Sequence, residues 1–409
     1  MRELVWTAGA VLGLLVSGCG RTSFFPLDRT SVSSSADAGA CAGAWTPQHE
    51  MLDLDGTTAP GRVFVDGHRV IYSRPRDSQG LVDVLRKEVL GGSEELITRG
   101  DHLLLEADAQ TVLLAMTDGS GRWNAIRGGQ TREVGGAVPV DGMIRGHHID
   151  GTFVGGCTSV ASVGGVDFAT SQRFETLIIG GPYSEPTSLL GRHIVYLTRG
   201  GAPEHQSIVH FAAVENPQLE EVLVEGSQLG PPVLFQGEAY YLDGDDVRKV
   251  KYPKSGPSEL VKSGPCLALD ADAQGVLLTC DPVNAPAALP LGSSLWFSDG
   301  NGLRRLQTDG RPIYEAHLGA GFAAYLSYDP SIDFCTPADS AGRVMVTTLD
   351  HREVFQAASI NGPCLCCNAF WPLPFLEARG DMIAFNYDHD GRSVRDVRIG
   401  VVTLERSCP

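Results

Sequence analysis

The sequence lacks the motifs that would assign it to several familiar classes of enzyme. It has no His-Glu-x-x-His zinc motif, no Gly-x-Ser-x-Gly nucleophile turn and no glycine-rich phosphate loop with its lysine. A membrane-spanning helix needs about 20 apolar residues, and the apolar run at the start of the chain, from Leu4 to Val16, is shorter than that. No longer apolar run follows, so we predict no transmembrane helix. Because the motifs above are missing, we also predict no cofactor and no catalytic residue.

Clusters of basic residues are also missing. The 32 Lys and Arg residues are outnumbered by 49 Asp and Glu residues, and the formal net charge is -17. Such a surface repels phosphate backbones, so we predict that nucleic acid is not a partner. The hydrophobic content of 43% is ample for the core of a large soluble domain.

The start of the chain has the features of an export signal. Arg2 precedes the apolar run, and the small residues Ser17 and Gly18 stand just before Cys19. The stretch from Val16 to Cys19 resembles the lipobox of bacterial lipoproteins, which implies cleavage before Cys19 and lipidation of its thiol. Gly20 stands where Asp would imply retention at the inner membrane, so the resemblance implies the outer membrane of a Gram-negative bacterium. An ordinary signal peptide with an incidental cysteine is the alternative.

The segment after Cys19 is typical of a flexible tether. It is rich in Ser, Ala, Gly and Thr up to Ala44 and shows no hydrophobic periodicity. We therefore divide the chain into a signal peptide (1–18), a lipidated cysteine with its tether (19–45) and one folded domain (46–409).

Internal repeats predict the fold of that domain. The segment Ala107–Leu114 recurs as Ala271–Leu278 with seven identities in eight positions, at an offset of 164 residues, or four periods of 41. A second pair, Val70–Tyr72 and Ile194–Tyr196, is offset by 124 residues, close to three such periods. Periods of 40 to 50 residues with several strands each are typical of β-propeller blades.

Turn residues agree with this interpretation. An Asp-x-x-Gly frame occurs at Asp77, Asp118, Asp299 and Asp388, each time after a strand-like run, and marks hairpin turns. The segment Leu295–Leu303 resembles the repeat of TolB-type and WD-repeat-like propellers, which implies an all-β propeller. A solenoid or a pair of β-sandwiches is the alternative.

The number of blades stays open between seven and eight from the sequence. Anchor strands near residues 71, 113, 153, 195, 240, 277, 325 and 384 give eight, but the stretch 281–294 interrupts the period. The last blade lacks a strand after Val401–Leu404, and Met51–Leu54 is expected to supply it. Closure of this kind would remove two exposed sheet edges.

Ten cysteines in an exported chain favour disulfides. Cys266 and Cys280 lie symmetrically about Ala273, so a hairpin places them opposite one another. In the repeat copy both are replaced together, by His102 and Met116. We predict that Cys266 and Cys280 form a disulfide.

Cys364, Cys366 and Cys367 form a cluster with two interpretations. Three sulfurs could bind a soft metal, with Cys335 or a histidine as the fourth ligand. A loop held by disulfides is favoured, in which Cys41, Cys157, Cys335 and Cys408 find partners; the pairing itself cannot be deduced.

Two classes of function remain. The anchor, the tether and the lack of a catalytic motif favour a lipid-anchored binding or scaffolding protein of the cell envelope, with a protein or glycan partner. The alternative is a propeller hydrolase or lyase that uses carboxylate or histidine groups in its central channel. Charged side chains that converge in the channel would favour the enzyme.

Overall fold

The structure is a computed structural model, and it describes residues 45–52, 63–75, 81–89, 91–117, 122–135, 147–150, 153–159, 162–177, 183–190, 193–199, 207–213, 216–283, 291–329, 342–350, 352–360, 376–388 and 397–406. The predicted signal peptide, Cys19, the tether up to residue 44 and the cluster of Cys364, Cys366 and Cys367 lie outside these ranges. Within the described ranges every regular element is a strand, and no helical segment has the length and hydropathy of a bilayer crossing.

The first half of the described chain forms four consecutive groups of four strands, which we call blades 1 to 4 and which follow an N-terminal strand β1 (Trp45–Leu52). They are β2 (Val63–Asp66), β3 (Arg69–Pro75), β4 (Val82–Glu88) and β5 (Glu94–Gly100); β6 (His102–Ala107), β7 (Thr111–Met116), β8 (Trp123–Arg127) and β9 (Gln130–Gly135); β10 (His147–Asp150), β11 (Phe153–Ser159), β12 (Ser162–Asp167) and β13 (Arg173–Leu177); β14 (Tyr183–Leu190), β15 (His193–Arg199), β16 (Ser207–Ala213) and β17 (Asn216–Gly226).

Blades 5 to 8 follow the same plan, except that the last blade takes its fourth strand from β1. They are β18 (Val233–Phe235), β19 (Glu238–Asp243), β20 (Asp246–Lys251) and β21 (Glu259–Lys262); β22 (Cys266–Ala271), β23 (Val276–Val283), β24 (Leu291–Ser298) and β25 (Leu303–Arg305); β26 (Ile313–Gly319), β27 (Phe322–Tyr328), β28 (Gly342–Thr348) and β29 (Val354–Ile360); β30 (Leu376–Arg379), β31 (Met382–Asp388) and β32 (Val397–Arg406).

Hydrogen bonding joins the described strands into six four-stranded sheets and one eight-stranded sheet. The eight-stranded sheet consists of blades 6 and 7, which one pair, Gly292 on β24 with Ile313 on β26, links together. Neighbouring strands within each blade are antiparallel. Counted as four-stranded units, the described strands therefore make eight blades, the higher of the two numbers that the sequence allowed.

The blades form a closed ring. The first strand of each blade contacts the first strand of the next, from β2 through β6, β10, β14, β18, β22 and β26 to β30, and β30 contacts β2 again. These strands therefore surround the central axis, and the chain is an all-β propeller as predicted. The solenoid and the paired sandwiches are excluded because neither brings the last sheet against the first.

Hydrophobic clusters fill the interfaces between blades. One cluster joins Val65 and Tyr72 of blade 1 to Met382 and Ile399 of blade 8, which seals the ring. Others lie between blades 1 and 2, 2 and 3, 4 and 5, 5 and 6, 6 and 7, and 7 and 8. Because each sheet is covered on both faces, its second strand has no polar face; all seven residues of β27 are buried.

The N-terminal strand closes the ring as predicted, although it begins earlier than Met51. Strand β1 pairs antiparallel with β32 from Trp45 opposite Arg406 to Leu52 opposite Ile399. Trp45, which the sequence analysis assigned to the tether, is the first residue of the strand. Its indole ring lies 5.8 Å from the Phe322 ring and 5.3 Å from the Arg406 guanidinium. Both ends of the domain are thus held in one sheet.

The predicted anchor strands all lie at the same position in their blades. Each of the eight is a second strand, from β3 and β7 to β27 and β31. The two copies of the 164-residue repeat are therefore the first hairpins of blades 2 and 6, four blades apart. Trp296 and Phe297, which the sequence could not assign, lie on β24, the third strand of blade 6.

The structure contains the predicted disulfide between Cys266 and Cys280. These residues face each other across β22 and β23. His102 and Met116 face each other in the same way across β6 and β7. The two copies of the repeat thus have the same strand register, but only blade 6 has a cysteine at both of these positions.

Candidate functional site in the central channel

Charged side chains are concentrated on the strands that surround the axis. An acidic residue, an alanine and a second charged residue or histidine follow each other on or at the end of four first strands, a pattern that we call the acid-Ala-charged tripeptide. Its four copies are Glu106-Ala107-Asp108, Asp270-Ala271-Asp272, Glu315-Ala316-His317 and Glu377-Ala378-Arg379. In the copies on β26 and β30 both polar residues lie within the strand and share one face, because residues two apart do so, whereas Asp108 and Asp272 follow the last residues of β6 and β22.

Three of the four leading acids bind the next blade through its backbone. The Glu106 carboxyl accepts the N–H of Ile149 at 3.1 Å, Asp270 accepts that of Leu318 at 2.9 Å, and Glu315 accepts that of Leu376 at 3.0 Å. Each contact runs from one first strand to the first strand of the following blade. A buried N–H without a partner destabilises a protein by about 1–3 kcal/mol, so these carboxyl groups join neighbouring blades.

His317 lies between two of these carboxyl groups. Its Nε2 is 3.2 Å from Glu315 Oε1, and its Nδ1 is 3.6 Å from Asp270 Oδ2. Burial alone would lower the pKa of His317, but its interactions with Asp270 and Glu315 outweigh burial and raise this pKa well above the usual value. The imidazole is therefore positively charged at neutral pH and compensates the carboxylates.

Glu377 departs from the pattern of the other three acids. Its side chain is 2% exposed, and its Oε1 has no hydrogen-bond partner among the described residues. Burial raises the pKa of Glu377 to about 8, although nearby His317 and Arg379 favour the charged form. This carboxyl group therefore holds a proton near neutral pH. A general acid must hold a proton at the pH at which it works, and Glu377 meets this requirement near neutral pH.

The charges continue from blade 8 to blades 1 and 2. Arg379 Nε lies 3.9 Å from Asp66 Oδ1. Burial raises the pKa of Glu106 well above its usual value, against the N–H of Ile149 and the charge of Arg379. Burial also raises the pKa of Asp108. A band of interacting charges thus follows five consecutive first strands, from β22 to β6.

On blade 5 the first strand is apolar. All three residues of β18, Val233, Leu234 and Phe235, are buried. The first strands therefore carry charges from blade 6 to blade 2, whereas the first strand of blade 5 packs its side chains against the neighbouring blades.

The second acids of two tripeptides shape hairpin turns. Asp108 accepts the N–H groups of Gln110 and Thr111 at 2.8 and 2.6 Å. Asp272 accepts the N–H of Gln274 at 2.7 Å, and burial raises the pKa of Asp272 to about 6. These contacts explain why Asp-Ala-Gln recurs in the repeat: it is the turn from the first to the second strand.

The described residues contain no group of three His, Cys, Asp or Glu side chains arranged to hold a metal ion. In the channel, both ring nitrogens of His317 face carboxyl groups, so neither nitrogen is left to coordinate a metal ion. The cysteine cluster that the sequence offered as a metal site lies outside the described residues and stays a hypothesis.

The sequence analysis named the channel but none of its residues. The missed signal is the acid-Ala-charged tripeptide, which ends three to five residues before the start of a second strand in each of four blades. A search for charges a few residues before the anchor strands would have found it. What the sequence could not supply is the contact of each acid with the following blade.

Comparisons with known proteins show a shared fold. No family model and no curated protein matches the chain. The computationally designed Ika8 protein superposes with a TM-score of 0.53 at 13% identity, over 85% of this chain and 97% of that one. The Pyrococcus horikoshii acylaminoacyl peptidase gives 0.48 at 10% identity, over 86% of this chain and 52% of the peptidase. The β-propeller domain of the Trilobed protease from Pyrococcus furiosus gives 0.46 at 10% identity, over 86% and 100%.

This chain thus spans about half the length of the acylaminoacyl peptidase. Identities of 10–13% carry no information about activity. The chain is an all-β propeller, and the designed Ika8 protein is similar to it in fold.

Proposed function

We propose that this chain is a lipid-anchored β-propeller of the cell envelope that binds a protein or glycan partner. The anchor is Cys19, behind the lipobox-like stretch from Val16, and the location is the outer membrane of a Gram-negative bacterium. The residues up to Ala44 tether the propeller, whose first strand starts at Trp45.

Charged side chains do come together in the channel, which the sequence analysis took to favour an enzyme, but three of the four leading acids are used internally. This internal use is the observation that carries the binding role. Glu106, Asp270 and Glu315 hold the N–H groups of neighbouring blades, and even Glu315 is only 9% exposed. Side chains engaged in this way support the ring and are withdrawn from solvent. The exposed turns at the faces of the propeller are therefore the surfaces that contact a partner, as is common for binding sites on a rigid scaffold.

The anchor is tested with the full-length chain and the variant Cys19→Ser. Expressed in a Gram-negative host with labelled palmitate, the unaltered chain should incorporate label and fractionate with the outer membrane. Cys19→Ser should lose both properties. Label-free chain in the soluble fraction, or equal fractionation of the two forms, would refute the anchor.

The binding role is tested by photo-crosslinking in cells. A photo-reactive residue is placed at Asn301, in the exposed turn between β24 and β25, and in a matched strain at Leu96 on the outer strand β5, which is 46% exposed. Binding through the face predicts an adduct of discrete mass from position 301 and none from position 96. If further turn positions also give no discrete adduct, the binding role is rejected.

A second candidate is the channel enzyme, a hydrolase or lyase, and Glu377 is the observation that favours it. A carboxyl group with a pKa of about 8 next to the His317 imidazolium is a suitable proton donor. The full-length protein is assayed on acidic polysaccharides and peptides. Turnover that Glu377→Gln abolishes and Glu95→Gln preserves would support the enzyme, whereas turnover unaffected by Glu377→Gln would reject this channel mechanism.

A further inference from the structure

A shallow cavity of about 300 Å³, largely open to solvent, lies on the surface of the propeller between two hairpins of neighbouring blades. Its walls are Arg127, Gly128 and Gln130 of blade 2 and Phe168 and Ala169 of blade 3. Ligand sites in proteins begin at about this size, and a cavity at the lower limit fits a single small ring. It is separate from the charges of the channel, which lie on the first strands.

The blade 2 wall is held in place by its turn. Arg127 pairs with Gln130 across the hairpin, and Gly128 and Gly129 between them both have positive φ, 54° and 76°. Two such residues in succession form the tight hairpin that glycine alone adopts without strain. The Arg127 guanidinium donates to the Thr111 hydroxyl at 2.8 Å and to the Gln110 side-chain carbonyl, so its orientation is fixed before a ligand arrives.

The blade 3 wall is equally well defined. Asp167 accepts the N–H of Ala169 at 2.8 Å and the hydroxyl of Thr170 at 2.9 Å, which fixes the turn that carries Phe168. The Arg132 guanidinium lies 5.1 Å from the centre of the Phe168 ring and donates to the Gln130 side-chain carbonyl at 3.4 Å. The two walls are thus joined through a cation and an aromatic ring.

The charge of this region is opposite to that of the protein. Arg127 lines the cavity and Arg132 contacts two of its lining residues, Phe168 and Gln130, while the whole chain has a formal net charge of -17. Glu133 pairs with two outlying arginines, Arg122 at 3.6 Å and Arg173 at 3.5 Å. Arg132 faces the Phe168 ring and the Gln130 amide rather than a carboxylate. Among the described residues no carboxylate pairs with Arg132, which stands beside the cavity, so its charge is available to an anion there.

The geometry points to a binding site for a sugar acid, a single pyranose ring that carries a carboxylate. Guanidinium groups bind carboxylates with charge-assisted hydrogen bonds, the Gln130 amide bonds hydroxyl groups, and the Phe168 ring and Ala169 methyl cover an apolar ring face. This inference rests on the proposed function as a binding protein and supplies its ligand class and its site.

The test measures binding of glucuronate to the full-length protein in detergent by titration calorimetry. Glucose presents the same ring without the carboxylate, and acetate and phosphate present charge without the ring. We expect glucuronate to bind at least about tenfold more tightly than each of the other three, a difference typical of one charge-assisted contact. Equal affinity for glucose, or for acetate and phosphate, would overturn the sugar-acid site, as would no binding of glucuronate.

Variants locate the site. Arg132→Gln should weaken glucuronate about tenfold, whereas the matched control Arg122→Gln, an outlying arginine that pairs with Glu133, should leave the affinity unchanged. Both substitutions are on the surface, and equal thermal unfolding of the variants shows that the fold is intact. Equal affinity of Arg132→Gln and the unaltered protein would place the ligand elsewhere. Lipidation of Cys19 and crosslinking at position 301 are independent of these outcomes, so failure of this site and failure of the proposed function are distinguishable.

Discussion

The Glu106 carboxyl group on β6 lies 3.1 Å from the backbone nitrogen of Ile149 on β10. The contact joins the first strands of blades 2 and 3, and Glu106 is only 3% exposed. Asp270 and Glu315 make the same contact with blades 7 and 8. The buried acids of the propeller therefore act first as acceptors for the next blade.

This contact predicts a difference between two substitutions. Glu106→Ala leaves the Ile149 N–H without its acceptor and should lower the free energy of unfolding by about 1–3 kcal/mol. Glu106→Gln retains a carbonyl oxygen and should lower it less. Denaturant unfolding measures both, with the partly exposed Glu133→Ala as control. Equal losses for the alanine and glutamine variants would contradict the role of the oxygen as an acceptor.

Glu377 predicts a pH dependence of stability. Its pKa rises from the ordinary 4.5 in the unfolded chain to about 8 in the folded state, so the folded protein holds a proton that the unfolded chain releases. Stability should therefore fall as pH rises between these values, by up to about 1.4 kcal/mol per pH unit. Glu377→Gln should remove this part of the slope.

The measurement is denaturant unfolding at several pH values from about 5 to 8, an interval set by the shift of the Glu377 pKa. Glu95→Gln, at an exposed position on β5, is the control and should keep the slope of the unaltered protein. A slope that is the same in Glu377→Gln and in the unaltered protein would show that this group is not protonated in the folded state.

The Cys266–Cys280 disulfide predicts a loss of stability when it is removed. It closes a loop with a sequence separation of 14 residues, and loops of this size contribute about 3 kcal/mol in the entropic description. The double variant Cys266→Ala, Cys280→Ala should show this loss in denaturant unfolding. Peptide mapping without reduction checks the bond itself, and a free thiol at either position would contradict it.

Ring closure by β1 predicts unequal effects of two truncations. Deletion of residues 45–52 exposes the edge of β32 and removes the contact of Trp45 with Phe322, so the melting temperature should fall by several degrees or more. Deletion of an equal length within the tether, residues 30–37, should leave it unchanged. Equal melting temperatures for the two deletions would show that β1 is dispensable.

Much of the fold follows from local sequence. Continuous apolar runs such as Phe322–Tyr328 predict second strands that are buried on both faces, and all eight of those anchors lie where a propeller requires them. In the Asp-Ala-Gln turn the aspartate side chain accepts a hydrogen bond from the backbone N–H of the glutamine two residues later. This local contact explains why the same residues recur in blades 2 and 6. The pairing of Cys266 with Cys280 was also predicted from the hairpin, although the structure reaches it through a bulge between Cys266 and Ala268 that shifts the register by one residue.

The sequence by itself determined the repeat unit, the strands, the turns and the cysteine pair, because each depends on residues close together in the chain. Tertiary structure alone decided that the described strands form eight blades, that Trp45 begins the closing strand, and which acids touch which neighbours. The Glu315 carboxyl meets the N–H of Leu376, 61 residues away, and burial by the surrounding blades raises the pKa of Glu377. Such contacts exist only once the sheets are assembled around their axis.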